Sequence, residues 1–192
     1  DVVGLNKNGI ENVVANLGTS LTDKQILTLN QFFNDIIICF DGDESGYKAA
    51  LRAAENSIKE LRPDKQISFL FLPDEEDPDS YVNKNGKNFF LDFTKQNKLS
   101  IHQFIFSHYK KQTVNNPSSM AIFEKKLRSI ANTIKDNFIK KYVLEYFLGK
   151  IDELTPYSNQ GNKKFYIKKT KTLESTKKHF KESQSLSGIE LK

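Results

Sequence analysis

IIICFDGDESGYKAALRA, residues 36–53, passes from an apolar run through two acids into an amphipathic segment with no spacer between them. Ile36, Ile37 and Ile38, followed by Cys39 and Phe40, predict a strand over Asp35–Phe40. A run apolar on both faces suits the centre of a parallel sheet covered by helices. From about Glu44 to Leu61, Tyr47, Ala50, Leu51, Ala54, Ile58 and Leu61 recur at the helical period, and Pro63 closes the segment. Gln66–Leu72 reads as the next strand. Upstream, Asn12–Leu17 reads as a short strand ending at Gly18. Thr22 then opens a helix, with Gln25 completing a capping-box pattern and Ile26, Leu29 and Phe33 spaced for one buried face. The order β-α-β-α-β predicts an α/β fold with an open, mostly parallel sheet flanked by helices.

In such sheets ligands bind beyond the carboxyl ends of the strands, which is where Asp41 and Asp43 fall. Two carboxylates two positions apart there offer hard oxygen ligands suited to magnesium. The helix start near Glu44 adds a positive dipole end, and Gly42 lets the backbone turn between the acids. Asp-Gly is also a common surface-turn dipeptide, so the pair by itself is compatible with a plain turn. A second acidic group follows the next strand in LPDEEDPDSY, residues 72–81. If the two strands are parallel neighbours, Asp77 and Asp79 fall beside Asp41 and Asp43, and so many carboxylates would repel unless divalent cations neutralised them. Asp74–Glu76 read better as a solvated acidic loop. Gly18 and Thr19, in NLGTS (residues 16–20), could offer backbone N–H groups and a hydroxyl to the same cleft, as could an ordinary loop. Lys48 and Arg52, a helical turn apart, could contact phosphate or form a solvated helix face.

Beyond residue 80 helical segments dominate, roughly over 87–96, 99–110, 117–135 and 136–150. Met120, Phe123, Leu127, Ile130 and Ile134 form one stripe; Phe138, Tyr142, Val143, Tyr146 and Phe147 form another before Gly149 supplies a stop. Both read as the core of a small helical bundle, with Pro117 and Asp136 as first-turn and cap residues. From about residue 155 polar residues and lysines take over without periodicity, which predicts a linker or tail. The expected division is therefore 1–86, 87–154 and 155–192.

The net charge of +5 is unevenly spread, since residues 156–192 hold 9 basic and 3 acidic side chains. A basic tail can bind nucleic acid through counterion release, and solvated linkers are also lysine-rich. No apolar run approaches the roughly 18 residues of a membrane span, and the single cysteine, Cys39, excludes a disulfide framework and fits a reducing cytoplasm. One cysteine and three scattered histidines, His102, His108 and His179, supply no zinc site. The chain starts at Asp1 without methionine and enters an apolar segment at once, as a piece of a longer protein would.

The ordered set DVVGL (1–5), GIENVVANLGTS (9–20), LT (21–22), IIICFDGDESGYKAALRA (36–53) and FLPDEEDPDSYVNKNG (71–86) resembles the Toprim catalytic region of bacterial DnaG-type primases. The resemblance implies a Toprim α/β fold followed by helices. It also implies two or more Mg2+ or Mn2+ ions and two-metal nucleotidyl transfer that joins ribonucleoside triphosphates into an RNA primer on a single-stranded DNA template. By the same resemblance, Asp41 and Asp43 are the catalytic D-x-D metal ligands, Asp77 and Asp79 the second acidic pair, and Asp1 the aspartate ending the family's E-G-Y-M-D segment. The glutamate opening that segment would lie four residues before Asp1, so the fragment alone is expected to be inactive. A replicative helicase would dock through a module downstream of this chain, and zinc would belong to a domain outside it. A cytoplasmic, bacterial monomer with no membrane partner is implied. The competing readings are another Toprim enzyme (a topoisomerase or nuclease), a phosphatase with Asp41 as nucleophile, and a non-catalytic docking fragment.

Overall fold

The isoleucine run forms strand β1 (Asp35–Gly42) in a computed structural model that describes residues 1–16, 21–74 and 76–154. β1 pairs in parallel with β2 (Gln66–Asp74), which pairs antiparallel with the two-residue β3 (Leu99–Ser100). The order β1-β2-β3 makes a mixed sheet flanked by helices. In chain order the helices are α1 (Val2–Lys7), α2 (Asp23–Phe32), α3 (Glu44–Ser57), α4 (Pro78–Asn85), α5 (Lys87–Asn97), α6 (Ile101–Lys111), α7 (Pro117–Asn132) and α8 (Asn137–Leu154). The chain divides into Asp1–Phe147 and Leu148–Lys192, and all packing described here lies within the first unit.

β2, rather than β1, is the strand covered on both faces. Ile67, Phe69, Leu70 and Leu72 are all buried, whereas no residue of β1 is fully buried and Ile37 is 39% exposed. The reason is pairing. β1 lies at the edge of the described sheet, and residues 12–16, expected as part of a strand, form none. Leu70 and Leu72 pack on one side with Leu5, Ile10, Tyr81, Val82 and Phe90 from α1, α4, α5 and the turn after α1. On the other side Phe104 of α6 lies between Phe69, Phe71 and Tyr47, with ring centroids 5.2, 5.0 and 5.4 Å away.

Several helix signals are realised. Thr22 and Gln25 form a reciprocal capping box at α2, Pro117 occupies the first turn of α7, and Asp136 Oδ1 accepts from the N–H groups of Phe138 and Ile139 at α8. α3 starts at Glu44 and ends in a 3-10 turn, Ile58–Glu60, before Pro63. Other expectations are corrected. Leu29 is only half-buried and Phe33 lies exposed past the end of α2, so Ile26 carries that helix's contact with the core. Gly149 does not stop α8, which runs to Leu154, because without a left-handed φ or a capping partner a glycine merely weakens a helix. In the last stripe Val143 and Phe147 are buried, but Phe138 and Tyr142 are 74% and 61% exposed. A helix of this length shows only one face to its neighbours, and the aromatics extend past that face.

One side chain inside the fold is unpaired. Asn30 of α2 is 6% exposed, and neither its Oδ1 nor its Nδ2 finds a partner among the described residues. An unsatisfied buried amide costs about 1–3 kcal/mol. Asn30→Leu, close in shape and without polar atoms, is expected to raise the unfolding free energy by that amount, read as a higher midpoint of chemical denaturation at unchanged slope; a lower midpoint would mean that the amide is paired.

Candidate metal centre

Asp41 lies inside β1 rather than beyond it, at an irregularity in the pairing. Phe40 stands opposite Phe71, but Gly42 stands opposite Asp74, so β2 uses one extra residue over this interval. Pro73, which has no N–H to give a ladder, falls in the bulge, and bulges commonly re-aim side chains beside functional sites. The backbones come so close that a Cβ on Gly42 would overlap the Pro73 carbonyl. Gly42 has no left-handed φ, so its role is close approach and not the expected sharp turn. Gly42 N–H also donates to the Glu76 carbonyl at 3.4 Å, tying the segment after β2 to the acids of β1.

Asp43 is the N-cap of α3, and its Oδ1 accepts from Gly46 N–H at 2.6 Å. Asp77 caps α4 in the same way, accepting from Ser80 N–H at 2.7 Å while Ser80 Oγ accepts from the Asp77 N–H at 3.2 Å. A carboxylate has about four lone-pair positions, so each cap leaves most of its acceptor capacity open. The sequence expectations include no helix over residues 78–85. The sequence Asp-Pro-Asp-Ser, with a cap acid, proline at the first helical position and serine at the third, was the available signal for α4.

The three carboxylates Asp41, Asp43 and Asp77 share one electrostatic neighbourhood. Partial burial raises the Asp41 carboxyl above its ordinary range, and the charges of Asp43 and then Asp77 push it further. Asp77 itself is held low, chiefly by the Ser80 N–H. The Asp79 carboxylate has partners of its own. Its Oδ1 accepts from Asn83 Nδ2 at 2.8 Å, and its carboxylate lies against Gly4 of α1. Asp1 is the residue before α1.

The remaining candidates are structural or lie elsewhere. Lys48 pairs with Glu44 at 2.6 Å, both well exposed, and Arg52 lies on the exposed side of α3. Glu76 is held by Lys84 at 2.8 Å and by Ser80 Oγ at 2.8 Å, which lowers its carboxyl, so it is not a freely solvated acid. Gly18, Thr19 and the stretch 155–192 fall outside the described residues. Burial, with a smaller push from Asp41, raises the Cys39 thiol to about 12, so a reactive thiolate is scarce at neutral pH. His102 packs edge-on against Tyr146 at 4.6 Å and His108 Nδ1 meets the Tyr47 hydroxyl at 3.2 Å, both as members of the packed structure.

Among the described residues no three His, Cys, Asp or Glu side chains converge closely enough to hold a metal ion by themselves. Magnesium is commonly held by one or two carboxylates with water and substrate phosphate completing the shell. Asp41 and Asp43 supply such oxygens, and the negative charge concentrated around Asp41 is what a divalent cation would neutralise, so these residues fit Mg2+ or Mn2+.

Known proteins resemble this chain over most of its length. A family model described as the Toprim domain matches residues 1–71. The DNA primase of Rickettsia typhi is 34% identical over 152 residues, covering 79% of this chain and 26% of that protein. The DNA primase of Legionella pneumophila is 42% identical over 119 residues, 62% of this chain and 20% of that protein. The chain thus spans about a quarter of the length of the curated relatives it matches. Among solved structures, a DnaG catalytic core superposes with a TM-score of 0.74 at 32% identity, covering 78% of this chain and 48% of that one. A DNA primase domain from Pseudomonas aeruginosa gives 0.73 at 30% identity over 81% and 47% of the respective chains. A DnaG primase catalytic domain bound to single-stranded DNA gives 0.72 at 32% identity over 77% and 48%. The chain therefore carries a Toprim match over residues 1–71 and resembles part of the DnaG catalytic core over most of its described length.

Proposed function

We propose that this chain is the metal-binding part of a DNA primase, a nucleotidyltransferase that joins ribonucleotides into short RNA primers on single-stranded DNA. The observation that supports this most is the likeness to a DnaG catalytic core over 78% of the chain, with Asp41 and Asp43 at the carboxyl end of a parallel strand. The DNA-bound relative supports a single-stranded template as the partner. Asp41 and Asp43, with Asp77, Asp79 and Asp1 around them, would hold two or more Mg2+ or Mn2+ ions. Such ions supply charge neutralisation on the triphosphate and activation of the attacking oxygen. The chain's own contribution is orientation. Capping by Gly46 and Ser80 N–H groups anchors Asp43 and Asp77, and the Gly42–Glu76 link holds their two segments together. The start of α3 presents its N–H groups at the same edge, where phosphate is favoured.

In this reading residues 1–86 carry the metal site, 87–154 the helical support and 155–192 a connecting tail. Primer extension and helicase docking belong, in this proposal, to the longer protein in the bacterial cytoplasm. No helix of the described residues is long and apolar enough to cross a membrane. The deciding experiment gives the full-length protein single-stranded DNA, ribonucleoside triphosphates and Mg2+, and follows RNA synthesis on a gel. Primers that disappear on chelation are expected. Relaxation of supercoiled DNA, strand cleavage or release of inorganic phosphate without primers would replace the proposal with a topoisomerase, nuclease or phosphatase.

A further inference from the structure

Asp79 is the acid of this edge whose direction is set by residues far away in the sequence. Its Oδ1 accepts from Asn83 Nδ2 at 2.8 Å, one turn along α4. Asn83 Oδ1 accepts in turn from Asn8 Nδ2 at 2.9 Å, and Asn8 Nδ2 also donates to the Gly4 carbonyl at 2.9 Å. Asn8 is the C-cap of α1, so this chain of amides runs from the end of α1 across to α4. Lys87 Nζ, donating to the Gly9 carbonyl at 2.6 Å, fastens the same two parts of the structure a few residues on.

Each link has a directional consequence. An asparagine amide has an acceptor end and a donor end, and Asn8 occupies the acceptor end of Asn83. The donor end is thereby turned toward Asp79. On the opposite side Gly4 forms a wall without a side chain, and a Cβ there would overlap the Asp79 carboxylate. Asp79 is thus held by a donor on one side and an α1 backbone on the other. Asn83 is exposed and contributes little packing, so its structural part is confined to the solvent-facing hydrogen bond to Asn8.

We propose that Asn83, oriented by Asn8, is a positioning residue that aims the Asp79 carboxylate, which Gly4 walls on its other side, for divalent-cation binding. This rests on the metal-binding reading given above. Residues hydrogen-bonded to a metal-ligating group typically change metal affinity about 10–100-fold when removed. Gly4→Ala acts from the other side. The carboxylate is the end of a short side chain, so it rotates away while the fold is kept.

The test uses the full-length protein and three readouts. These are Mn2+ affinity from the paramagnetic resonance signal of the free ion, melting temperature in chelator, and the Mg2+ dependence of primer synthesis separated from its maximal rate. Asn83→Ala and Gly4→Ala are expected to weaken Mn2+ binding about 10–100-fold and to raise the Mg2+ requirement, with the metal-free melting temperature unchanged. Asn83→Gln, which keeps an amide donor, is expected to bind close to wild type. Wild-type Mn2+ affinity in Asn83→Ala, alongside weakened binding in Asp79→Ala, would overturn the positioning role and leave the metal site standing. Wild-type affinity in Asp79→Ala itself would overturn the role too, since the residue being aimed would not be a ligand. A parallel fall in metal-free stability and affinity in Asn83→Ala would reduce the residue to a structural one. A wild-type protein that binds no Mn2+ overturns both the metal reading and this inference.

Discussion

Asp41→Asn is expected to lower primer synthesis by the full-length protein by about 10²–10³-fold or more, while raising the thermal stability of the metal-free form. Both effects come from one charge. The carboxyl of Asp41 lies above its ordinary range because of partial burial and the nearby charges of Asp43 and Asp77. A group whose folded pKa is raised gives stability that is present below its unfolded value and lost as pH rises through the folded one. Ionised Asp41 therefore opposes folding at neutral pH, and the neutral amide of asparagine removes that cost. The gain over wild type should shrink toward zero below about pH 4, where aspartate is protonated in the unfolded chain as well.

The activity moves in the opposite direction. A cation stabilising developing charge contributes several kcal/mol to a phosphoryl-type transition state, and each 1.36 kcal/mol is tenfold in rate. An amide oxygen carries no net charge with which to hold it. Adding Mg2+ should accordingly raise the melting temperature of the wild type, by mass action on the folded state, and do little for Asp41→Asn. The measurements are melting curves with chelator and with Mg2+, from about pH 4 to 8, together with primer yield. Equal activity of variant and wild type would remove Asp41 from the site; a metal-free variant less stable than wild type at neutral pH would show that the repulsion is not there.

The second large effect concerns the support beneath the site. Phe104→Ala is expected to cost about 3–5 kcal/mol, the usual range for deleting a buried aromatic ring. Phe104 is 1% exposed and touches Phe69, Phe71 and Tyr47, so it joins α6 to the covered face of β2 and to the first turns of α3. With total stabilities of about 5–15 kcal/mol in ordinary domains, the variant would be close to unfolding. For a chain of this size the loss corresponds to a fall in melting temperature of roughly 6–20 °C. Phe138→Ala, on the last helical stripe but 74% exposed, is the control and should change stability by no more than about 0.5 kcal/mol. Similar losses in both variants would mean that Phe104 is not a central packing residue.

The contrast between these two phenylalanines shows where reading a sequence succeeds and where it stops. The sequence places both within helical segments, 99–110 and 136–150, and both helices form. Burial then depended on which neighbours lay opposite, and those neighbours come from segments dozens of residues away. The same holds for the strands. Ile36–Ile38 look more thoroughly apolar than Gln66–Leu72, yet the second segment is the covered strand because helices and strands flank it on both sides.

Residues 1–192 by themselves determined what acts over short separations: the strand before Asp41, the helix after Asp43, the caps at Thr22 and Asp136, and an ordered set of motifs specific enough to indicate a DnaG-type relative. These are decided by neighbours within about four positions, the reach of a helical turn or a cap. Only the tertiary structure decided which acids act together. The bulge opposite Asp41 brings Asp77 into its field, and Asp79, two residues further on, leans instead on Gly4, 75 positions earlier in the chain. No local pattern encodes that contact. It arises because α1 and α4 pack on the same face of β2, and packing, unlike capping, is settled by whatever else the fold has placed within reach.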